Sequence, residues 1–216
     1  AVEKDPEHFN FLNQKYAAEA KSGKLVLSRA DIRDVLKFPK RYSIYPKRYK
    51  VVANIPYYLT GRLLRIIFEG KNIPDLAILM LQKEVAQRIA PQTRFGAKMS
   101  ILAISVQVFA KPKIAFYVPR RNFRPEPEVD SAVIILERHK KDFFRSRGID
   151  RKLFLELVKK GFSQKRKKLS NNIKDSVKIE HFAECGLETN ARAEDLSLEN
   201  WACLAGLSTL KKPKNK

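Results

Sequence analysis

The tetrapeptide Asn54-Ile55-Pro56-Tyr57 carries the most informative chemistry in the sequence. An exocyclic adenine amine is a poor nucleophile because its lone pair is delocalised into the ring. The Asn54 side-chain oxygen and the Ile55 backbone carbonyl are two acceptors that can bind both N–H bonds of such an amine and aim its lone pair at an electrophilic methyl group. Pro56 would stiffen this turn, and Tyr57 would stack on a base swung out of its helix. The alternative is a strand-end turn with a packed tyrosine.

A second aromatic residue, Phe123, begins a proline-containing segment that runs over residues 123–131. Two prolines separated by one residue favour an extended loop of low conformational entropy. Phe123 would therefore be a second platform, which sandwiches an extruded base together with Tyr57. The alternative is a rigid connector whose phenylalanine fills the core. Nucleic-acid contact is favoured by the cations around it, which are Arg120, Arg121 and Arg124.

The elements that must position these motifs alternate between short apolar strands and helices, which predicts an α/β domain with a largely parallel central sheet. Ligands collect at the carboxyl ends of the strands in such sheets, where Glu3, Asp31 and Asn54 fall. The apolar run 76–81 is typical of a strand covered on both faces. The other predicted strands cover residues 24–27, 50–53, 114–118 and 132–136, and the predicted helices cover 7–20, 61–69, 84–89 and 98–109.

Beyond residue 140 the strands stop, and the pattern predicts helices over 151–162, 165–174, 178–185 and 196–207. We therefore expect an α/β domain over 1–140, a helical subdomain over 141–210 and a basic disordered tail over 211–216. The helical part contains four consecutive cations, Lys165, Arg166, Lys167 and Lys168. A solvated helix surface is the usual explanation of such a run, but the adjoining Gln164, Asn171 and Asn172 favour phosphate contacts.

The charge balance points to a polyanionic partner. The 216 residues include 44 Lys and Arg against 23 Asp and Glu, a formal net charge of +21. Each phosphate neutralised releases counterions, so nucleic acid is favoured over a merely solvated or ribosomal basic surface. Two cysteines, Cys185 and Cys203, are too few for a disulfide framework, which suits a reducing cytoplasm. Three scattered histidines and short apolar runs predict neither a metal site nor a membrane span.

Together these motifs resemble the N6-adenine methyltransferases, and more narrowly the KsgA-type ribosomal RNA adenine dimethylases. Residues 1–5 are similar to the family's second motif, Asp31 to its third, Asn-Ile-Pro-Tyr to its fourth and 118–133 to its eighth. Segments 162–172 and 191–197 resemble its C-terminal signature. The resemblance implies a class I, Rossmann-like methyltransferase domain that uses S-adenosylmethionine, followed by a small all-α subdomain that binds RNA.

The resemblance also implies roles for individual residues. Glu3 would accept the ribose hydroxyls of S-adenosylmethionine and Asp31 the adenine amine of the cofactor, while Asn54 borders both cofactor and target base. The alternatives are a surface charge for Glu3 and a helix cap for Asp31. Family enzymes transfer two methyl groups to each of two adjacent adenosines near the 3′ end of small-subunit rRNA and need no metal. We therefore expect a cytoplasmic monomer that acts on a pre-30S particle.

One family motif has no counterpart in this sequence. The family's Gly-rich turn, which cradles the methionine end of the cofactor, is expected before Glu3, and none of the eight glycines forms a G-x-G cluster. We therefore expect an N-terminally truncated chain that binds S-adenosylmethionine weakly and is weak or inactive. Lesser departures from the family lie at residues 58–60 and 41–50. Two alternatives remain: an Erm-type enzyme that methylates large-subunit rRNA, and a non-catalytic RNA-binding ribosome-assembly factor.

Overall fold

The computed structural model describes residues 1–42, 48–70, 72–90, 98–164 and 166–209. Its strands are β1 (Val2–Glu3), β2 (Ser28–Arg29), β3 (Lys50–Asn54), β4 (Leu76–Gln82), β5 (Ala110–Val118) and β6 (Ser131–Arg138). Its helices are α1 (Pro6–Lys15), α2 (Ala17–Lys21), α3 (Ile32–Lys37), α4 (Thr60–Glu69), α5 (Lys83–Ile89), α6 (Ile101–Gln107), α7 (Arg151–Gly161), α8 (Leu169–Ile173), α9 (Glu180–Glu184) and α10 (Leu198–Gly206). The alternation of strands and helices followed by a helical segment confirms the predicted α/β class.

The N-terminal segment forms a parallel pair of short strands and a capped helix. Asp5 Oδ1 accepts hydrogen bonds from the backbone N–H groups of Glu7 and His8, both at 2.9 Å, so α1 begins where the sequence predicts. The predicted continuous helix over 7–20 is wrong, since it breaks at Tyr16 into α1 and α2. The strand expected at 24–27 instead lies at Ser28–Arg29, because that is where the chain pairs with β1.

The larger sheet has the order β3-β4-β6-β5. Strands β3 and β4 are parallel, whereas β6 is antiparallel to both β4 and β5. The expected parallel direction is therefore shared by β3, β4 and β5, and among the four strands of this sheet only β6 is reversed. Strand β6 is antiparallel to β5 because the short connection over 119–130 brings the chain back at the edge of the sheet where β5 ends. Such a connection joins antiparallel strands without a crossover.

One face of this sheet is packed against helices and the other is partly open. Ala77, Leu79 and Leu81 of β4 are fully buried and form the core with the apolar faces of α4 and α6. The opposite face of the sheet includes Val52, whose residue surface is 78% exposed. The prediction that 76–81 is covered on both faces is therefore confirmed for one face only.

The helical segment shares its core with the sheet. Phe143, Phe144 and Phe154 pack edge to face, with ring centroids 5.4–5.7 Å apart, and belong to the same buried cluster as β4. The Arg151 guanidinium lies 4.4 Å from the Phe109 ring centroid and donates to the carbonyl of Phe68 at 2.8 Å. Burial lowers the pKa of this guanidinium. These contacts fix α7 against the end of α4.

Two further corrections concern the C-terminal helices. The helix expected at 165–174 is only α8, and Lys168, just before it, has extended backbone. The cysteines, which were expected to be too few for a disulfide framework, form one bond: Cys185 is joined to Cys203 across α9 and α10, with their Cα atoms 5.6 Å apart. The sequence could not reveal this pairing, because it depends on the fold bringing the end of α9 close to Cys203 in α10.

Candidate active site

The register of the larger sheet brings the two aromatic motifs to one edge. Asn54, the last residue of β3, lies opposite Met80, and Gln82 at the end of β4 lies opposite Ser131. Val118, the last residue of β5, also pairs with Ser131. The turn after β3 and the loop after β5 therefore leave the sheet at the same edge.

The turn after β3 is anchored by its apolar residue. Ile55 is 2% exposed, and its N–H donates to the Met80 carbonyl at 3.2 Å, which continues the β3–β4 ladder by one residue. The N–H of Leu59 then donates to the Pro56 carbonyl at 2.9 Å and closes a tight turn. Asn54, just before the anchor, is exposed. The burial of Ile55 thus fixes the backbone while the neighbouring carboxamide faces solvent.

A hydrogen bond joins Tyr57 to the second motif. The Tyr57 hydroxyl lies 2.9 Å from the Ser131 hydroxyl, across 74 residues of chain. Ser131 is 1% exposed, whereas Tyr57 is half-buried. Part of the Tyr57 ring is therefore accessible to solvent, while its hydroxyl is hydrogen-bonded to a buried side chain. The sequence predicted a partnership of Tyr57 with Phe123 but gave no role to Ser131, the last residue of the proline-containing segment over 123–131.

The loop that carries Phe123 is closed by Asp130. Asp130 Oδ1 accepts from the N–H of Arg120 at 3.1 Å, and the Asp130 carbonyl accepts from the N–H of Lys83 at 3.0 Å. The hydrogen bond from Arg120 holds the pKa of the Asp130 carboxyl below its usual range. Lys83 Nζ lies 3.5 Å from Asp130 Oδ2. A cleft of about 280 Å³ beside these contacts is lined in part by Lys83, Arg120 and Asp130.

The cations around Phe123 divide into two kinds. The Arg120 guanidinium is engaged inside the loop, at 3.0 Å from Glu126 Oε1 and 3.3 Å from the Glu128 carbonyl. Arg121 and Arg124 are exposed. Phe123 itself is half-buried, and its N–H donates to the Arg120 carbonyl at 3.1 Å. Arg120 therefore shapes the loop, while its exposed neighbours remain candidates for RNA contact.

The two predicted cofactor carboxylates lie near the ends of the paired strands β1 and β2. Glu3 Oε1 accepts from the N–H of Asp5 at 2.8 Å. Asp31 caps α3 by accepting from the N–H of Arg33 at 2.9 Å, and its two oxygens accept from the Arg33 guanidinium at 2.9 and 2.5 Å. This side-chain hydrogen bond holds the pKa of the Asp31 carboxyl well below its usual range. The helix-cap alternative for Asp31 is thus confirmed, and its role toward a cofactor remains a prediction.

These acceptors fit the adenosine part of S-adenosylmethionine better than its methionine part. Carboxylates at the ends of adjacent parallel strands can accept from ribose hydroxyls and from an adenine amine. Both Glu3 and Asp31 are only partly exposed, which suits groups bordering a ligand. No two of the eight glycines lie close enough in sequence to form the Gly-rich turn that would cradle the methionine carboxylate.

The basic run precedes α8 instead of lying within it. Arg166, Lys167 and Lys168 are exposed in the connection between α7 and α8, while Lys165 lies outside the described residues. The Asn172 side-chain amide donates to the carbonyls of Gly161 at 2.6 Å and Gln164 at 3.1 Å, which holds this connection in place. The prediction that a helix over 165–174 includes Arg166, Lys167 and Lys168 is therefore wrong.

The described part of the chain has neither a candidate metal centre nor a helix that could span a membrane. His181 Nδ1 lies 2.9 Å from Glu184 Oε1, and the described residues contain no group of three or more His, Cys, Asp and Glu side chains able to hold a metal ion. Within the same residues, no helix has both the length and the apolar character needed to span a bilayer.

Comparison with known proteins identifies the family of this chain. Residues 1–208 match the ribosomal RNA adenine dimethylase family. The ribosomal RNA small subunit methyltransferase A of Fusobacterium nucleatum is 35% identical over 206 residues, which are 93% of this chain and 74% of that protein. Against seven other curated relatives of the same description, the chain spans 53% to 65% of their length.

Two solved structures share the fold. The crystal structure of 23S rRNA methyltransferase ErmE superposes with a TM-score of 0.70 at 19% identity, covering 95% of this chain and 79% of that one. A dimethyladenosine transferase from Plasmodium falciparum gives a TM-score of 0.71 at 20% identity, covering 97% and 83%. The family's enzymes use S-adenosylmethionine and have this Rossmann-like methyltransferase fold. The chain belongs to the ribosomal RNA adenine dimethylase family.

Proposed function

We propose that this chain presents the N6 amine of adenosines in small-subunit rRNA to the methyl group of S-adenosylmethionine. The targets are two adjacent adenosines near the 3′ end, each of which receives two methyl groups. The partner is a pre-30S particle in the cytoplasm, and the chain acts as a monomer. Its curated relatives are ribosomal RNA small subunit methyltransferases, which supports the choice of small-subunit RNA.

The observation that supports this function most is the link between the two aromatic motifs. Tyr57 is bonded through Ser131 to the strand that follows the Phe123 loop, so the exposed Asn54 carboxamide and both rings belong to one edge of the sheet. An amide oxygen and a main-chain carbonyl at this edge are acceptors for both N–H bonds of an adenine amine. Two aromatic residues supply stacking surfaces for the base, and stacking contributes about 1–3 kcal/mol per base.

The residues divide the work between cofactor and RNA. S-adenosylmethionine, when bound, supplies the electrophilic methyl group. Glu3 and Asp31 accept from its adenosine part, and Asn54 holds the target amine. The Ile55 carbonyl accepts the second N–H of that amine, in a position fixed by the buried Ile55 side chain. The RNA backbone is bound by exposed cations, which are Arg121, Arg124, Arg166, Lys167 and Lys168, together with the predicted Lys165.

A binding cycle tests the recognition of the amine. A synthetic RNA carries either adenosine or purine riboside, which lacks the amine, at the target position. The wild-type chain is expected to bind the adenosine RNA about 5- to 10-fold more tightly, which corresponds to two hydrogen bonds near the lower end of the net range of about 0.5–1.5 kcal/mol each. In Asn54→Ala the preference should fall to about 2-fold, since the Ile55 carbonyl remains. Equal affinities of the wild-type chain for the two RNAs would overturn the proposal.

Transfer of labelled methyl groups tests the reaction itself. Small-subunit and large-subunit rRNA are offered together with millimolar labelled S-adenosylmethionine, and the labelled base is identified after digestion. We expect slow labelling of small-subunit adenosine N6, reduced at least tenfold in Asn54→Ala. Labelling of the large subunit would establish the Erm-type alternative. RNA binding with no labelling at any cofactor concentration, in a chain shown to bind the cofactor, would establish the non-catalytic assembly factor.

A further inference from the structure

We propose that Asp130 and Ser131, two consecutive residues at the start of β6, are positioning residues that set the orientation of the two aromatic platforms. Ser131 fixes the Tyr57 ring through its hydroxyl, and Asp130 closes the loop that carries Phe123. This inference rests on the proposed function, because it assigns a role in base recognition to two residues outside the base-contacting set.

The Ser131 contact is suited to orienting a ring. The Ser131 hydroxyl is buried, and its hydrogen bond to the Tyr57 hydroxyl, 2.9 Å long, is formed at the end of the ring remote from the backbone. The backbone end of Tyr57 is fixed separately by the tight turn that the N–H of Leu59 closes on Pro56. A ring held at both ends has one orientation, whereas a ring held at its Cβ alone rotates among rotamers.

The Asp130 contacts are suited to fixing a loop. One carboxylate oxygen accepts from the N–H of Arg120 at the loop's beginning, 10 residues earlier, and the Asp130 carbonyl accepts from the N–H of Lys83, the first residue after β4. The loop is thereby tied at its two ends to each other and to the sheet. Phe123 lies inside the closed segment, directly after the short turn that begins at Arg120.

The consequence is that both platforms are set from one strand end. Because residues 130 and 131 are adjacent, a displacement of the start of β6 moves the anchor of Tyr57 and the clasp of the Phe123 loop together. Movements elsewhere in the chain should therefore have little effect on the separation between the Tyr57 and Phe123 rings. Base recognition requires such preorganisation, since a stacking slot that varies in width loses its contacts with the base.

The test uses variants that remove one hydrogen bond from either side. Tyr57→Phe and Ser131→Ala each delete a hydroxyl of the same pair, and the double variant deletes both. The readout is the preference for adenosine over purine riboside RNA, measured with the full chain. Each single variant is expected to lower the preference about threefold, and the double variant to lower it by the same factor instead of its square. Tyr58→Phe, the same change on the adjacent and 84% exposed tyrosine, is the matched control and should leave the preference unchanged.

Asp130 is tested by rescue. Asp130→Ala should lower the preference, and Asp130→Asn, which keeps an oxygen acceptor for the N–H of Arg120, should restore most of it. A purely structural role of Asp130 would reduce the unfolding free energy without changing the ratio of the two affinities. A folded Tyr57→Phe chain that keeps the wild-type preference for adenosine RNA would overturn the positioning role, even if Ser131→Ala fails to fold. Multiplicative effects of the two changes in the double variant would also overturn it.

A second readout separates this inference from the proposed function. In the free chain labelled with ¹³C-tyrosine, the Tyr57 ring signal is assigned by its loss in Tyr57→Phe. Removal of the Ser131 hydroxyl is expected to shift that signal while the other tyrosine signals stay in place. An unshifted signal would contradict the positioning role. If the signal shifts but the wild-type chain binds adenosine RNA and purine riboside RNA equally well, the positioning role stands and the proposed function fails.

Discussion

Adding a single methyl group at Gly161 should destabilise the helical part of the molecule, because the space it would enter is filled by the chain's one tryptophan. A Cβ built at Gly161 would lie 2.4 Å from Cη2 of Trp201 and 2.9 Å from Cδ1 of Leu169. The nearer distance is about 1 Å shorter than an ordinary contact. Trp201 is 0% exposed and stacks on Phe162, with ring centroids 5.9 Å apart, so the indole has little room to retreat.

The expected magnitude follows from two opposing effects. Overpacking of a filled core costs about 1–3 kcal/mol, and replacing a helical glycine by alanine returns up to about 1 kcal/mol. With an overlap this large we expect Gly161→Ala to lose about 2 kcal/mol of unfolding free energy. For a urea m-value of about 2 kcal/mol per molar, the unfolding midpoint should fall by about 1 M.

The assay is urea unfolding followed by tryptophan fluorescence, which reports only on Trp201 because the sequence contains one tryptophan. Gly206→Ala is the matched control: it is the last residue of α10, in the same part of the molecule, and its added Cβ would meet nothing within 4 Å. The control midpoint should stay the same or rise slightly. A Gly161→Ala midpoint at or above the wild-type value, with an unchanged m-value, would refute the packing argument.

Three further predictions concern charge and the cofactor. The Arg33 guanidinium lowers the pKa of Asp31, so the Asp31 carboxylate stabilises the fold at pH values above its unfolded pKa of about 4 and loses that effect as the pH falls further. The difference in unfolding free energy between wild type and Asp31→Ala should therefore shrink between pH 6 and pH 3. A constant difference would contradict the pairing of Asp31 with Arg33. Replacing Arg166 and Lys167 by glutamine should weaken the binding of every RNA sequence tested. The slope of log affinity against log salt concentration should become shallower by about 1–2. An unchanged slope would exclude phosphate contacts of these two residues. Calorimetry on this chain should show weak binding of S-adenosylmethionine, since no Gly-rich turn is present in the sequence, and tight binding would refute that reasoning.

Local signals in the sequence predicted the elements around the site well. Asp5 and Pro6 mark the beginning of α1, and the apolar run at 76–81 marks β4, because caps and continuous apolar strands have short-range causes. In the structure the turn after Asn54 and the loop that carries Phe123 leave the sheet at one edge, while the roles of these residues toward a target base stay a prediction.

The features that the sequence did not reveal depend on contacts between distant residues. Strand β2 lies at Ser28–Arg29 because it pairs with the first residues of the chain. The basic run stays outside α8, where the Asn172 amide holds the preceding connection. Likewise Ser131 lies in the segment over 123–131, but its hydrogen bond to Tyr57 spans 74 residues and is visible only in three dimensions.

The central claim is that a flipped adenine lies between Tyr57 and Phe123, and photo-crosslinking tests it most directly. An RNA carrying 8-azidoadenosine at the target position is bound to the chain and irradiated, and the crosslinked peptides are sequenced. We predict crosslinks to both Tyr57 and Phe123, each lost when that residue is replaced by alanine. Crosslinks confined to the exposed rings of Phe116 and Tyr117 on β5, which are 58% and 42% exposed, would place the base elsewhere and contradict the account.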